Sequence, residues 1–320
     1  MDRLRALANF VDSKNVSVHR LTEDPTKAWD TMKAKQVVQV LEPLDPLTSL
    51  SEDKIRFVFL SDTHNKIERL DSFVPAGDVL LHAGDFTSIG LPKSIHEFNQ
   101  YLGNLPHKVK IIIAGNHEIT LDSTMINRED IKDYVSKKFN ILPASYDEVL
   151  VKLNVTSSRD LLTNCIYLMD SSIDVCGIKI YGSPWQPEFH GWAFNLPRGA
   201  QCLEKWNMIP DDTDILMTHG PPLGHGDLCT SGLRAGCVEL LATIQKRVKP
   251  KYHLYGHIHE GYGVTTDGQT IFMNGSNCTI LYKPHNKPIV FDYPIPKGHT
   301  KAELNNLPVN NISENSFSNT

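Results

Sequence analysis

With 320 residues, 40% of them hydrophobic and 22% charged, the chain has the make-up of an ordinary globular protein of one large domain or two smaller ones. A net charge of −5 leaves no basic footprint for long nucleic acid or an anionic membrane surface. No apolar run approaches the length that spans a bilayer, and the N-terminus lacks a signal-peptide core, so a cytoplasmic chain is expected. On the same argument the six cysteines (165, 176, 202, 229, 237 and 278), which form no CxxC pair, are expected to be free thiols. The N-x-S/T sequons at Asn15, Asn154, Asn277 and Asn311 then read as chance matches.

Residues 1–52 show weak periodicity and read as a partly ordered, loosely packed extension with one or two short helices. Within it, residues 37–41 are a candidate added strand. From residue 53 the pattern becomes regular. Apolar runs at 57–60, 79–83 and 110–114 read as buried strands, followed by helices over 66–72 and 92–102, with Pro92 at a favoured early helical position. Residues 128–139 read as an amphipathic helix, with Ile131, Val135 and Phe139 one turn apart. The middle of the chain turns β-rich, and residues 165–169 and 174–181 are expected to pair as a hairpin. Strand and helix alternate again at 215–217, 237–247 and 252–255. The dipeptide Asp267-Gly268 predicts a last hairpin between 264–266 and 270–274. Residues 283–296 read either as a closing strand between turns or as a partner surface. Residues 298–320, rich in Asn and Ser, read as a disordered polar tail. Strand–helix alternation interrupted by hairpins predicts an α/β fold of two packed sheets with helices outside, spanning residues 53–297.

The chemistry lies where these strands end. Five apolar runs finish in Asp62-Thr-His64, Gly84-Asp85, Gly115-Asn116-His117-Glu118, Thr218-His219-Gly220 and Gly256-His257-Ile-His259. Loops leaving the carboxyl ends of strands share one edge of an open α/β sheet, so the five segments are expected to converge. Alone, Asp62 or Asp85 would pass for a helix cap, His219 for a turn residue, and His257 and His259 for satisfied core histidines. Packing does not explain all five strand ends carrying such residues. Two Asp, one Asn and four His, with His117 beside them, supply enough oxygen and nitrogen for two divalent metals. That donor mixture suits Mn, Fe or Zn better than Mg or Ca, and the lack of a thiolate disfavours a structural zinc.

Other residues divide less sharply. His82 lies inside a strand and reads as structural, while His190 and His253 stay open. His225, six residues after His219, either reaches the substrate or lies at the surface. The stretch 183–198 is a loop packed by its own aromatics, or else a pocket wall. In the second case Trp185, Phe189 or Trp192 would stack on a base and Arg198 would sit near the phosphate.

The motif order D-x-H, GD, GNH(E), H, GHxH resembles the calcineurin-like metallophosphoesterase superfamily. Leu80-Leu-His-Ala-Gly-Asp-Phe86, Tyr181-Gly-Ser-Pro-Trp-Gln-Pro187 and Gly256-His-Ile-His-Glu-Gly-Tyr-Gly263 are similar to one branch, the metallophosphoesterase domain-containing proteins first noted in brain. The resemblance covers residues 54 to 296. It implies a four-layer α/β/β/α sandwich with two mixed sheets. It implies that Asp85 bridges two ions, that Asp62, His64 and His259 complete one site, and that Asn116, His219 and His257 complete the other. It also implies His117 as the residue that steadies the phosphate or protonates the leaving oxygen, oriented by Glu118 or Asp62. The activity implied is hydrolysis of small phosphodiesters, cyclic nucleotides included, by a metal-activated water, with Mn the ion expected to support turnover in vitro. A phosphomonoesterase or protein phosphatase, and a weakly active nucleotide-binding or scaffold protein, are the alternatives. The expected partner is a small phosphodiester or nucleotide, with no long nucleic acid and no membrane.

Overall fold

The structure is a computed structural model and describes residues 16–69, 74–126, 131–140, 142 and 144–307. In chain order its strands are β1 (Gln39–Leu41), β2 (Lys54–Leu60), β3 (Val79–Ala83), β4 (Val109–Ile113), β5 (Ile166–Tyr167), β6 (Ser171–Val175) and β7 (Ile178–Ser183). They continue as β8 (Gln186–Pro187), β9 (Asn195–Leu196), β10 (Ile215–Thr218), β11 (Tyr252–Tyr255), β12 (Gly263–Thr266), β13 (Ile271–Asn274) and β14 (Ile289–Pro294). The helices are α1 (Pro25–Met32), α2 (Pro92–Asn104), α3 (Ser123–Ile126), α4 (Ile131–Phe139), α5 (Ala144–Leu153), α6 (Ala200–Asn207) and α7 (Val238–Thr243).

Two mixed sheets carry the fold. One has the order β14-β2-β3-β4-β5 and the other β1-β12-β13-β11-β10-β7-β6. Strands β2 to β5 run parallel, as do β7, β10, β11 and β13, while β14, β6, β12 and β1 are antiparallel additions. Side chains alternate across a strand, so each parallel strand serves two cores at once. Phe57, Phe59, Leu81, Ile111 and Ile113 join Ile180, Ile215, Met217, Leu254 and Met273 in the core between the sheets. Their neighbours Val58, Leu60, Leu80 and Ile112 face the other way, into a core shared with Ile95, Phe98 and Leu102 of α2. Each such side chain, fully buried, contributes roughly 1.5–3 kcal/mol. Arg56 ties the β14 edge down. Its Nε and Nη2 donate to the two carboxylate oxygens of Asp292, the residue paired with it across β2 and β14, at 2.8 and 2.9 Å.

Several expectations are revised. The hairpin of the middle region is β6–β7, turning at Cys176-Gly177, both at positive φ (53° and 77°). The run at 165–169 instead supplies β5, which pairs in parallel with β4 in the other sheet. The expected helix at 66–72 is only a 3₁₀ turn over Ile67–Arg69 among the described residues. The helix from residue 237 is α7, continued as a π-turn over Ile244–Val248. Residues 37–41 do add a strand, since β1 extends the seven-stranded sheet beyond β12. The segment around α1 is not loosely packed: Ala28 is buried with Leu223, Val238 and Leu241. The tail does not begin at residue 298 either. Lys301–Asn306 form a 3₁₀ turn with a Thr300/Glu303 capping box and a buried Leu304; residues 308–320 lie outside the described residues. No helix among the described residues is long and apolar enough to cross a membrane.

Candidate metal centre

The carboxyl ends of β2, β3, β4, β10 and β11 meet at one edge, and the loops leaving them are laced together by main-chain hydrogen bonds. The amide of Asp62 donates to Gly84 O, that of His64 to Asp85 O and that of Gly256 to His219 O, each at 3.0 Å. Asp62, His64, Asp85 and His257 all have positive φ (52°, 43°, 53° and 64°). Such backbone costs on the order of 1–3 kcal/mol per residue and persists where surrounding structure enforces it. It turns each strand end sharply enough to aim the side chain inward. The loops also sit too close for side chains at their glycines: a Cβ at Gly256 would overlap Asp62 Oδ2 and Ser61 Oγ.

The inward-aimed groups fall into overlapping clusters. Asp62, His64 and His259 form one, Asp85, His219 and His257 another, and Asp85 also groups with His64 and His117. Asp62 Oδ1 is 3.3 Å from His259 Nε2, and Asp85 Oδ2 is 3.3 Å from His219 Nε2. Asn116 Oδ1 approaches His219 Nε2 at 3.1 Å, and its buried Nδ2 has no hydrogen-bond partner. The ring tautomers are set from behind. Nδ1 of His64, His219 and His259 faces the carbonyls of Thr87, Ala83 and Thr279 at 3.2, 2.8 and 2.9 Å. That leaves Nε2 of each ring pointing into the cluster, the arrangement of histidine metal ligands with a carbonyl behind them. Nε2 of His64 and of His259 then face each other at 3.2 Å. Two lone pairs at that separation repel unless a cation or proton lies between them, so the donor set fits divalent metal.

Electrostatics divide the ligand rings. Burial holds His64 and His257 neutral, with pKa lowered to about 3. Burial alone would raise the Asp62 carboxyl, but the hydrogen bond and charge of His259 pull it below the usual range. Burial would lower His219, yet the Asp85 charge outweighs it and holds the ring at about 9. Glu118 behaves differently: burial and the Asp85 charge push it up to about 8. Its carboxylate accepts from the amides of Asp85, Gly115 and Thr87 and from the Thr87 hydroxyl, at 2.7–2.9 Å. Glu118 therefore clamps the β3 and β4 loops together. It does not orient His117, and neither does Asp62, which accepts from the His257 amide and the Ser276 hydroxyl. His117 is held by Ser88 O at Nδ1 and by stacking on Trp192 at 4.2 Å, with its amide donating to Asp85 Oδ1 at 2.8 Å. Its Nε2 stands 3.8 Å from Asp85 Oδ2.

Residues 55–261 match the calcineurin-like phosphoesterase family. The chain belongs to that family. It is 48% identical over 292 residues to the UPF0046 protein T07D4.2 of Caenorhabditis elegans, covering 90% of this chain and 72% of the relative. It is 47% identical over 289 residues to metallophosphoesterase domain-containing protein 1 of Homo sapiens, covering 88% of this chain and 86% of the relative. A more distant match, 22% identical over 202 residues and 61% of each chain, is the 3',5'-cyclic-nucleotide phosphodiesterase alr5338 of Nostoc. This chain is a metal-dependent phosphoester hydrolase with the mixed α/β fold of its family.

The phosphoesterase opens to solvent through a cleft lined by Asp85, Asn116, His117, His257 and His259 on its floor and by Phe189, Cys229, Ile258, Glu260, Ile280 and Tyr282 on its walls. Of the five side chains expected at the substrate, Phe189 is a wall residue. Trp192 stands behind His117, its ring face taken by the imidazole and by Lys138 Nζ at 4.7 Å, so it cannot stack on a base as well. Trp185 is buried, with its indole N–H on Asp170 Oδ2 at 2.8 Å. Arg198 spends its guanidinium on the carbonyls of Gly236 and Ala235. His225 is buried, stacked on Phe272 at 3.8 Å, with Nδ1 against Thr265 Oγ1. These last three therefore lie away from the cleft. His82 and His253 are core histidines facing Thr63 and Thr218 hydroxyls, while His190 is exposed beside Phe189. Tyr282 had no signal in the sequence, because the turn that carries it follows no metal-ligand motif. Its ring meets His64 edge-on at 4.8 Å.

Proposed function

We propose that this chain is a phosphodiesterase built around two divalent ions, with Asp85 shared between a site of Asp62, His64 and His259 and a site of Asn116, His219 and His257. The observation that carries this reading is the pair of half-sites meeting at one carboxylate, with ring Nε2 atoms turned inward in both. Two ions so placed would polarise the phosphoryl group and activate a water. Mn, Fe and Zn suit the mixed nitrogen and oxygen donors, with Mn the first choice for reconstitution. His117, with its ring Nδ1 donating to Ser88 O, presents Nε2 beside Asp85, where the doubly protonated ring can donate to a phosphoryl oxygen or to the departing alkoxide. Asp62 and Asp85 would be carboxylate ligands that offset the metal charge.

Charge supports a diester over a monoester. No Lys or Arg lines the cleft among the described residues, so a singly charged diester suits it better than a dianion, which sites usually grip with a guanidinium. Cyclic nucleotides are small diesters of this kind, and the Nostoc relative is named for hydrolysing one. The experiment is to reconstitute the full chain with Mn and compare bis-p-nitrophenyl phosphate with p-nitrophenyl phosphate. Preference for the diester is the expected result. Preference for the monoester, or turnover of neither, would overturn the proposal.

A further inference from the structure

Three loop tips reach the metal cleft, giving Phe189, Cys229, Ile280 and Tyr282 to its lining, and each carries exposed apolar side chains among polar neighbours such as Glu188, Thr230 and Lys283. One carries Phe189, the second Leu228 and Leu233 on either side of the wall residue Cys229, and the third Ile280, Leu281 and Tyr282. These six side chains are between 42% and 71% exposed. The second tip is closed by Cys229 N donating to Leu233 O at 2.9 Å. The third is a tight turn in which Tyr282 N donates to Thr279 O at 2.7 Å and Tyr282 has φ 54°. Thr279 O also accepts Nδ1 of His259. The turn that holds Ile280 and Leu281 out to solvent is thus fastened to a candidate metal ligand.

Clustered exposed apolar side chains around a concave site mark a surface that is covered in use. A substrate held at the candidate metal ligands would reach these tips, because Phe189, Cys229, Ile280 and Tyr282 line the same cleft as Asp85, His257 and His259. On the cleft wall, Phe189, Ile258 and Ile280 offer no donor or acceptor to read the edge of a base or a sugar hydroxyl, and Leu228, Leu233 and Leu281 stand exposed beyond it on the same tips. They match a hydrocarbon.

We propose that these tips bind an alkyl chain esterified to the phosphate opposite the leaving group, so that the preferred substrates are amphiphilic phosphodiesters. This rests on the phosphodiesterase reading above. The reaction is hydrolysis: water oxygen bonds to phosphorus, the bond to the leaving oxygen breaks, the alkyl phosphate remains, and the proton goes to the leaving group or solvent.

The test uses the full Mn-loaded chain and two substrates with one leaving group, methyl p-nitrophenyl phosphate and hexyl p-nitrophenyl phosphate, below micellar concentrations. A buried methylene is worth roughly fourfold in binding, so partial burial of five predicts about tenfold or more in kcat/KM for the hexyl ester. In Ile280→Ser/Leu281→Ser the hexyl-to-methyl ratio should fall towards one. Equal kcat/KM for the two esters in the native chain, or a hexyl preference that survives the double substitution, would overturn the proposal. Turnover of neither ester would overturn the phosphodiesterase reading beneath it, and the proposal with it.

Discussion

Asp85 concentrates the chemistry of the site in one side chain. Its Oδ1 accepts the His117 amide, while its Oδ2 faces His219 at 3.3 Å and His64 at 4.0 Å. In Asp85→Asn the shared anionic oxygen is lost to both clusters, and turnover should drop by more than about 100-fold with metal content reduced. Metal analysis alongside the rate checks it; full metal content with full activity would remove Asp85 from the centre. His117 makes the opposite prediction. Its ring is fixed by Ser88 and Trp192 and it stands outside the proposed ligand set, so His117→Ala should lower kcat by roughly 100-fold or more while bound metal is unchanged. Loss of metal in that variant would make His117 a ligand instead. The sequence displayed the cluster residues because each follows an apolar run. It misled at Glu118 and Arg198, where the residue type suits a catalytic partner. Both side chains are engaged by neighbouring backbone groups that no local spacing reveals: amides for Glu118, carbonyls for Arg198.

Parallel strands buried on both faces read as continuous apolar runs, which is why β2, β3, β4, β10 and β11 stood out with their trailing loops. The region between β5 and β7 was less legible. Its turn uses Cys176-Gly177 in place of the Asn-Gly or Asp-Gly that marks such hairpins, whereas Asp267-Gly268 announced β12–β13 correctly. A two-residue strand such as β5 has no period to detect. Its place in the first sheet follows from long-range pairing, continued by Leu168 N donating to Ile112 O. The edge strand β14 depends on one ion pair as well as its ladder. In Asp292→Ala the guanidinium of Arg56, 2% exposed, would lose its bidentate partner. Removing one member of a buried pair costs about 3–5 kcal/mol, so chemical denaturation should register a loss near 3 kcal/mol. A change under about 1 kcal/mol would show that neighbouring carbonyls such as Thr48 O already satisfy the arginine.

Both sheets, the clamp of Glu118 and the strained loop backbones converge on one small volume where five imidazoles and two carboxylates are packed together. Ions held by these residues, which come from both sheets, would favour the folded state over the unfolded chain and should stabilise the fold by mass action. At a free concentration 100 times Kd, one site contributes about 2.7 kcal/mol. Chelation followed by differential scanning calorimetry should therefore lower Tm by about 5 °C or more, and Mn should restore it. An unchanged Tm would mean that the apo cluster is held by hydrogen bonds and protonation alone. The two half-sites make a sharper numerical claim. Isothermal titration of the chelated full chain with Mn, paired with diester turnover at each addition, should give two ions per chain, with activity rising as the second site fills; a stoichiometry of one with full activity would contradict a two-ion centre.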